Sequence, residues 1–127
     1  MRLHHVQLAC PPGGEDVTRR FWVEGLGLAE VPKPAPLAGR GGAWFRSYDG
    51  GLEVHVGVED PFAPARKAHP AVLLDDVAEL DRVATRLEAL GHEVDPSERD
   101  TFPGHVRWHV RDGHGNRVEL LAPGPVT

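Results

Sequence analysis

The sequence is poor in the groups that many chemistries need. It has a single cysteine, Cys10, so no disulfide can form within the chain, and this fits a reducing compartment. Its only serines are Ser47 and Ser97, which leaves few hydroxyl nucleophiles. Asn116 is the sole asparagine and Gln7 the sole glutamine. No stretch approaches the roughly 18 apolar residues of a membrane span. The opening Met1-Arg2-Leu3-His4-His5-Val6 lacks the charged and then apolar blocks of a secretory signal, so the expected setting is the cytoplasm. Positive charge is short as well. Fourteen Lys and Arg against 19 Asp and Glu give a net charge of −5, and no basic stripe is offered to a nucleic acid.

What the chain does have is histidine, eight residues in 127, so its chemistry should lean on imidazole. Its 40% hydrophobic and 26% charged residues are those of an ordinary globular protein. The length suits one domain with one core, expected to span residues 1–127.

That core has to be shared by two copies of one module. Shifting the sequence by 64 positions lays His5 on His69, Glu15 on Glu79, Glu24 on Glu88 and Leu26-Gly27 on Leu90-Gly91. The same shift, without a gap, brings Pro32 to Pro96, Trp44 to Trp108, Val54 to Val118 and Pro61 to Pro125. Coincidence of rare residues, tryptophan and histidine, marks a duplication rather than chance. The repeats are expected over about 1–60 and 67–123, joined by a linker at about 61–66.

Each copy reads as βαβββ. Leu3 to Ala9 alternates as a strand does, and Glu15 to Leu26 is helical, with acidic residues in its first turn and Gly27 placed to stop it. In the second copy His69 to Leu74 is a strand, Asp75 or Asp76 can cap a helix, and Val77, Leu80, Ala84, Leu87 and Leu90 repeat at helical spacing until Gly91. Three strands follow in each half: Leu28 to Val31, Ala43 to Tyr48 and Leu52 to Val58, then His92 to Asp95, Val106 to Arg111 and Arg117 to Leu121. Asp49-Gly50-Gly51 and Asp112 to Asn116 supply the turns between the last two strands. The fold class is α+β, two tandem modules making a cupped mixed sheet.

Period-two alternation sorts these strands into faces. Val54 and Val56 belong under the helix, which turns Glu53, His55 and Gly57 the other way; Val118 and Leu120 likewise oppose Glu119. The face without helices thus collects His5, His55, His69 and Glu119, all residue types that bind a divalent metal. His5 to His55 and His69 to Glu119 are both separations of 50 residues, so equivalent positions of the two copies are used. Three imidazoles and one carboxylate leave one or two metal positions open to substrate, which is the pattern of catalysis. In the strand Val106 to Arg111, Arg107 and His109 face the same cavity as candidate substrate-binding groups, and Phe45 is expected to line it. Arg107 can grip an anion or pair with a carboxylate. Glu53, on the His55 face, reads as a solvated strand-end glutamate, and Cys10, with no cationic neighbour, reads as a small inert hydrophobe.

With His5-Val6-Gln7-Leu8, the Leu26-Gly27-Leu28 helix ending, Leu52 to Gly57, His69 to Asp76 and Gly115-Asn116-Arg117-Val118-Glu119-Leu120, the chain resembles the vicinal oxygen chelate superfamily. That group holds glyoxalase I, fosfomycin-resistance enzymes, bleomycin-resistance proteins and extradiol dioxygenases. The resemblance implies paired βαβββ units around a divalent metal (Zn, Ni, Mn or Fe(II)), with His5, His69 and Glu119 matching its two histidines and glutamate. His55 falls at the variable fourth position, where bacterial glyoxalase I has glutamate. It further implies a metal that polarises a substrate oxygen, a carboxylate, Glu119 or as a weaker candidate Glu53, that moves a proton, and a small-molecule substrate; members pair the two modules within one chain or exchange them between two, and a homodimer is favoured here.

Three functions compete: a metal-dependent lyase or isomerase, an Fe(II) ring-cleaving dioxygenase, and a non-catalytic binder of aromatic drugs. A fourth protein ligand crowds the room that dioxygen needs, and binders usually lack the ligand set, so the lyase or isomerase is favoured.

Overall fold

The computed structural model describes residues 1–125, so the last two residues of the expected domain, 126 and 127, lie outside the described range. Its elements run β1 (Val6–Cys10), α1 (Glu15–Arg19, continued by a wider π turn over Arg20–Gly25), β2 (Ala29–Val31), a 3-10 helix (Ala35–Arg40), β3 (Ala43–Arg46) and β4 (Glu53–Val58). The second half repeats the order with β5 (Ala71–Leu73), α2 (Val77–Ala89), β6 (Val94–Asp95), β7 (His105–Arg111) and β8 (Arg117–Pro123). Two four-stranded sheets result, ordered β1-β4-β3-β2 and β5-β8-β7-β6. In each, the first strand runs parallel to the last, and the remaining pairs are antiparallel. This is the expected α+β architecture of two tandem βαβββ modules.

Local chemistry explains the elements. Asp76 caps α2 by accepting the Glu79 N–H at 2.8 Å, and Leu80, Val83, Ala84 and Leu87 bury one stripe of that helix. In α1 the Leu26 N–H reaches back five residues to Phe21 O, widening the helix around Phe21 and Trp22, adjacent and both fully buried. The segment between β2 and β3 carries the 3-10 helix and returns the chain to the sheet.

Both modules feed one core. Leu8, Val54, Val56 and Phe45 from the first sheet join Val72, Val106, Val118 and Leu120 from the second, with Phe21, Trp22, Leu80 and Leu87 of the helices among them. The helices touch where Gly25 lies against Leu87, so close that a Cβ on Gly25 would stand 2.4 Å from the leucine Cδ2. Arg86 Nε also donates to Gly25 O at 2.8 Å. Asn116 ties the modules at another point. Its amide donates to Ala9 O at 2.8 Å in β1 and its oxygen accepts the Ala65 N–H of the linker at 2.9 Å. Among the described residues no helix is long and apolar enough to cross a membrane.

The repeat is not gapless where β3 meets β7. Six residues, 47–52, separate β3 from β4, whereas five, 112–116, separate β7 from β8. Trp44 consequently stands opposite His55, while Trp108 stands opposite Leu120. A shift of one residue turns a strand's side chains to the other face, so the two tryptophans that match at an offset of 64 point to opposite sides of their sheets. Trp108 reaches under α2 and donates from Nε1 to Asp81 at 3.0 Å.

Candidate metal centre

On the helix-free face of the second sheet, β7 and β8 place His109 directly opposite Glu119. His69 approaches from the segment before β5, held by the Glu119 N–H bonding to Pro70 O at 2.9 Å. Glu119 Oε1 lies 3.1 Å from His69 Nε2 and 3.3 Å from His109 Nε2. The three donors fall within 4.8 Å of one another, and among the described residues no other group of three or more His, Cys, Asp or Glu side chains gathers so closely. Arg107 Nη1 completes the surroundings of the carboxylate at 3.4 Å.

The donor set fits a cation. His69 Nδ1 sits 2.7 Å from Lys67 O, and since a carbonyl only accepts, that nitrogen carries the proton. Without a further cation, Nε2 would present its lone pair to a carboxylate oxygen, an acceptor facing an acceptor. A second proton or a metal ion between them removes the repulsion, and a ring oriented by a backbone carbonyl is a common support for a metal ligand. Burial pushes the Glu119 carboxyl up, but the His69 hydrogen bond, the Arg107 charge and His109 together bring it below the ordinary carboxylate range. Burial pushes His109 down, and the positive charge of Arg117 adds to that, so this imidazole is neutral and able to ligate.

The first sheet carries a different arrangement. His5 stacks on His55 with ring centroids 3.9 Å apart, and Trp44 stacks on the other face of His55 at 3.7 Å with the rings 1° from parallel. His55 is buried, which together with the neighbouring His5 lowers its pKa, and its Nε2 has no hydrogen-bond partner. Such an orphaned nitrogen is again open to a cation. Glu53 is clamped by Arg46 at 2.6 Å, which holds its carboxyl below the ordinary range.

The four sequence-expected ligands therefore form two pairs in one chain. His69 and Glu119 meet, and His109, expected as a substrate contact, is the histidine that joins them. His5 and His55 pair with each other on the other sheet. Arg107, one candidate anion grip, is engaged with Glu119 and with Glu98 at 3.5 Å. Phe45 requires a correction: it is fully buried opposite Val54 in the core and lines no cavity on the helix-free face. Its neighbour Trp44 occupies that face. The longer β3–β4 turn was the available signal, because it moves the alternation by one position. Cys10 is buried, and burial followed by the Glu15 charge pushes its thiol up, consistent with an inert role.

A family model for the Glyoxalase/Bleomycin resistance protein/Dioxygenase superfamily matches residues 2–120. The chain belongs to this superfamily. A glyoxalase family protein from Bacillus anthracis is 38% identical, covering 98% of this chain and 96% of its own, with a TM-score of 0.86. The fosfomycin resistance protein FosX from Listeria monocytogenes superposes with a TM-score of 0.72 at 19% identity, over 100% of this chain and 94% of its own. TnmS3, an antibiotic binding protein from Streptomyces sp. CB03234, gives 0.69 at 21% identity, over 98% of this chain and 99% of its own. These last two share the glyoxalase fold with the chain. A search of curated proteins gave no match.

Proposed function

We propose that the chain is a divalent-metal-dependent enzyme of the glyoxalase superfamily, a cytoplasmic lyase or isomerase acting on a small oxygenated substrate. The observation that carries this reading is the gathering of one ligand atom each from His69, His109 and Glu119 within 4.8 Å of one another. When bound, a divalent metal supplies a Lewis acid for a substrate carbonyl or oxyanion.

The protein's own groups do the rest. His69, His109 and Glu119 hold the metal from within the chain. His5 and His55, at the repeat positions equivalent to His69 and Glu119, are the donors that a second copy brings when the modules of two chains face each other in a homodimer. The orphaned His55 Nε2 supports their inclusion. Glu119, ionised at neutral pH, is positioned to accept a substrate proton, a role for which Glu53 is less suited because Arg46 already clamps it. Arg107 steadies the Glu119 carboxylate at 3.4 Å.

The in-chain set of two histidines and a carboxylate is also that of an Fe(II) oxygenase, and one experiment separates the two. The purified protein is stripped, loaded with Zn, Mn, Ni or, anaerobically, Fe(II), and offered methylglyoxal with a thiol or catechol with oxygen. Thiol-dependent loss of methylglyoxal supports the lyase; oxygen uptake with ring opening supports the dioxygenase. Metal retention should fall sharply in His69→Ala and Glu119→Ala, and unchanged retention in both would remove the basis of the assignment.

A further inference from the structure

Beyond the metal group, the helix-free face of the second sheet continues to a pair of arginines. Arg111 and Arg117 stand directly opposite each other in the β7–β8 ladder, one step along the same face from the opposed His109 and Glu119. Like charges placed so are mutually destabilising in a sheet. Among the described residues no carboxylate lies within ion-pairing distance of either guanidinium. Both are only partly exposed, so water does not fully screen them. Arg111 has one weak contact, 3.4 Å to Gly115 O. The positive charge of Arg117 is felt at His109, which places it beside the metal group.

The two arginines and His109 line one wall of a cavity of about 240 Å³, roomy enough for a small oxyanion or the acidic end of a larger molecule. Glu93, Asp95 and Glu98 line it as well, and two of these are engaged elsewhere. Glu98 takes the Thr101 hydroxyl at 2.6 Å and Arg107 at 3.5 Å, and Asp95 accepts the Ser97 N–H at 2.9 Å. Those hydrogen bonds do not cancel a carboxylate's charge: with Glu98 paired to Arg107, Glu93 and Asp95 balance the two arginines in number, and what the pair offers an anion is N–H donors that no ion pair occupies.

We propose that Arg111 and Arg117 form an anion subsite of the same active centre, so that the substrate is a small oxygenated acid whose carboxylate or phosphate-like group lies across the two guanidiniums while its reacting oxygen reaches the His69, His109 and Glu119 group. This rests on the metal reading for its catalytic meaning, but the anion site is testable without it. A guanidinium presents parallel N–H donors that match two oxygens of either kind of anion.

The test is calorimetric titration of inorganic phosphate, and separately of acetate, into protein freed of metal with a chelator. Saturable binding of at least one anion is expected, and comparison of the two says which oxyanion the site prefers. Arg111→Gln and Arg117→Gln should each weaken it by about tenfold or more, Arg117→Lys by less, and Arg66→Gln, on the exposed linker, should leave it unchanged. Absence of saturable binding of both anions, or equal affinity in the wild type and both glutamine variants, overturns the proposal. Metal retention measured on the same proteins keeps the two readings apart. Anion binding by a protein that fails to retain added metal would leave the subsite standing and remove the metal centre, whereas metal retention without anion binding does the reverse.

Discussion

His5 stacks on His55 at a centroid distance of 3.9 Å in the first module, in the place where His69 meets Glu119 at 3.1 Å in the second. Each module thus presents half of a donor set at equivalent positions, and the halves sit on different sheets of one chain. In the proposed homodimer each chain's first module lies against the other's second, which would bring the two halves around one cation.

Mixing experiments test that arrangement. His5→Ala and His69→Ala homodimers should each retain metal weakly. Unfolded together in equal amounts and refolded, they should recover about a quarter of wild-type sites, because half of the dimers are mixed and each carries one intact site. Metal content after dialysis reads this directly. If His5→Ala alone keeps full metal, His5 is not a ligand, and the in-chain trio of His69, His109 and Glu119 suffices.

Phe45 and Trp44 should separate stability from site chemistry. Phe45 is fully buried in the shared core, so Phe45→Ala is expected to cost about 3–5 kcal/mol in urea unfolding. Trp44→Ala, on the opposite face, should cost less and should shift the NMR resonances of His55, whose ring it covers. A larger stability loss for Trp44→Ala than for Phe45→Ala would contradict the strand register.

Asn116 is buried and joins three segments through Ala9, Ala65 and Asp112, the last accepting its amide at 2.8 Å. Asn116→Ala strands several buried polar groups at once and should destabilise the fold by about 3 kcal/mol. Equilibrium denaturation measures it. A loss below about 1 kcal/mol would mean that these bonds are replaced by water.

Acid should loosen the fold through its buried histidines. His92 packs edge-on against Phe21 with its Nε2 unpartnered, and burial holds its pKa below the ordinary 6.5. The unfolded chain therefore takes up a proton that the folded chain refuses. Its contribution to stability is full above pH 6.5 and is lost as the pH falls through the window beneath that value, toward the lowered folded pKa. His55 and His109, also lowered, act with the same sign. Urea midpoints of metal-free protein should fall between about pH 7 and pH 5, and His92→Phe should flatten part of that slope. An unchanged slope in His92→Phe would locate the effect elsewhere.

The amino-acid sequence alone determined what depends on near neighbours. Alternation fixed that Val118 and Leu120 go inward while Glu119 goes outward, Asp75 or Asp76 and Gly91 bounded α2, and the offset of 64 announced the duplication with its equivalent histidines. Those signals have short periods and survive without knowledge of the fold. Only the tertiary structure decided which outward residues share a place: His109 with His69 and Glu119, Trp44 over His55, Arg111 across from Arg117. Cross-strand register is set by turn length and by packing between distant segments, and one additional residue between Arg46 and Glu53 was enough to exchange Phe45 for Trp44 on the face that carries the chemistry.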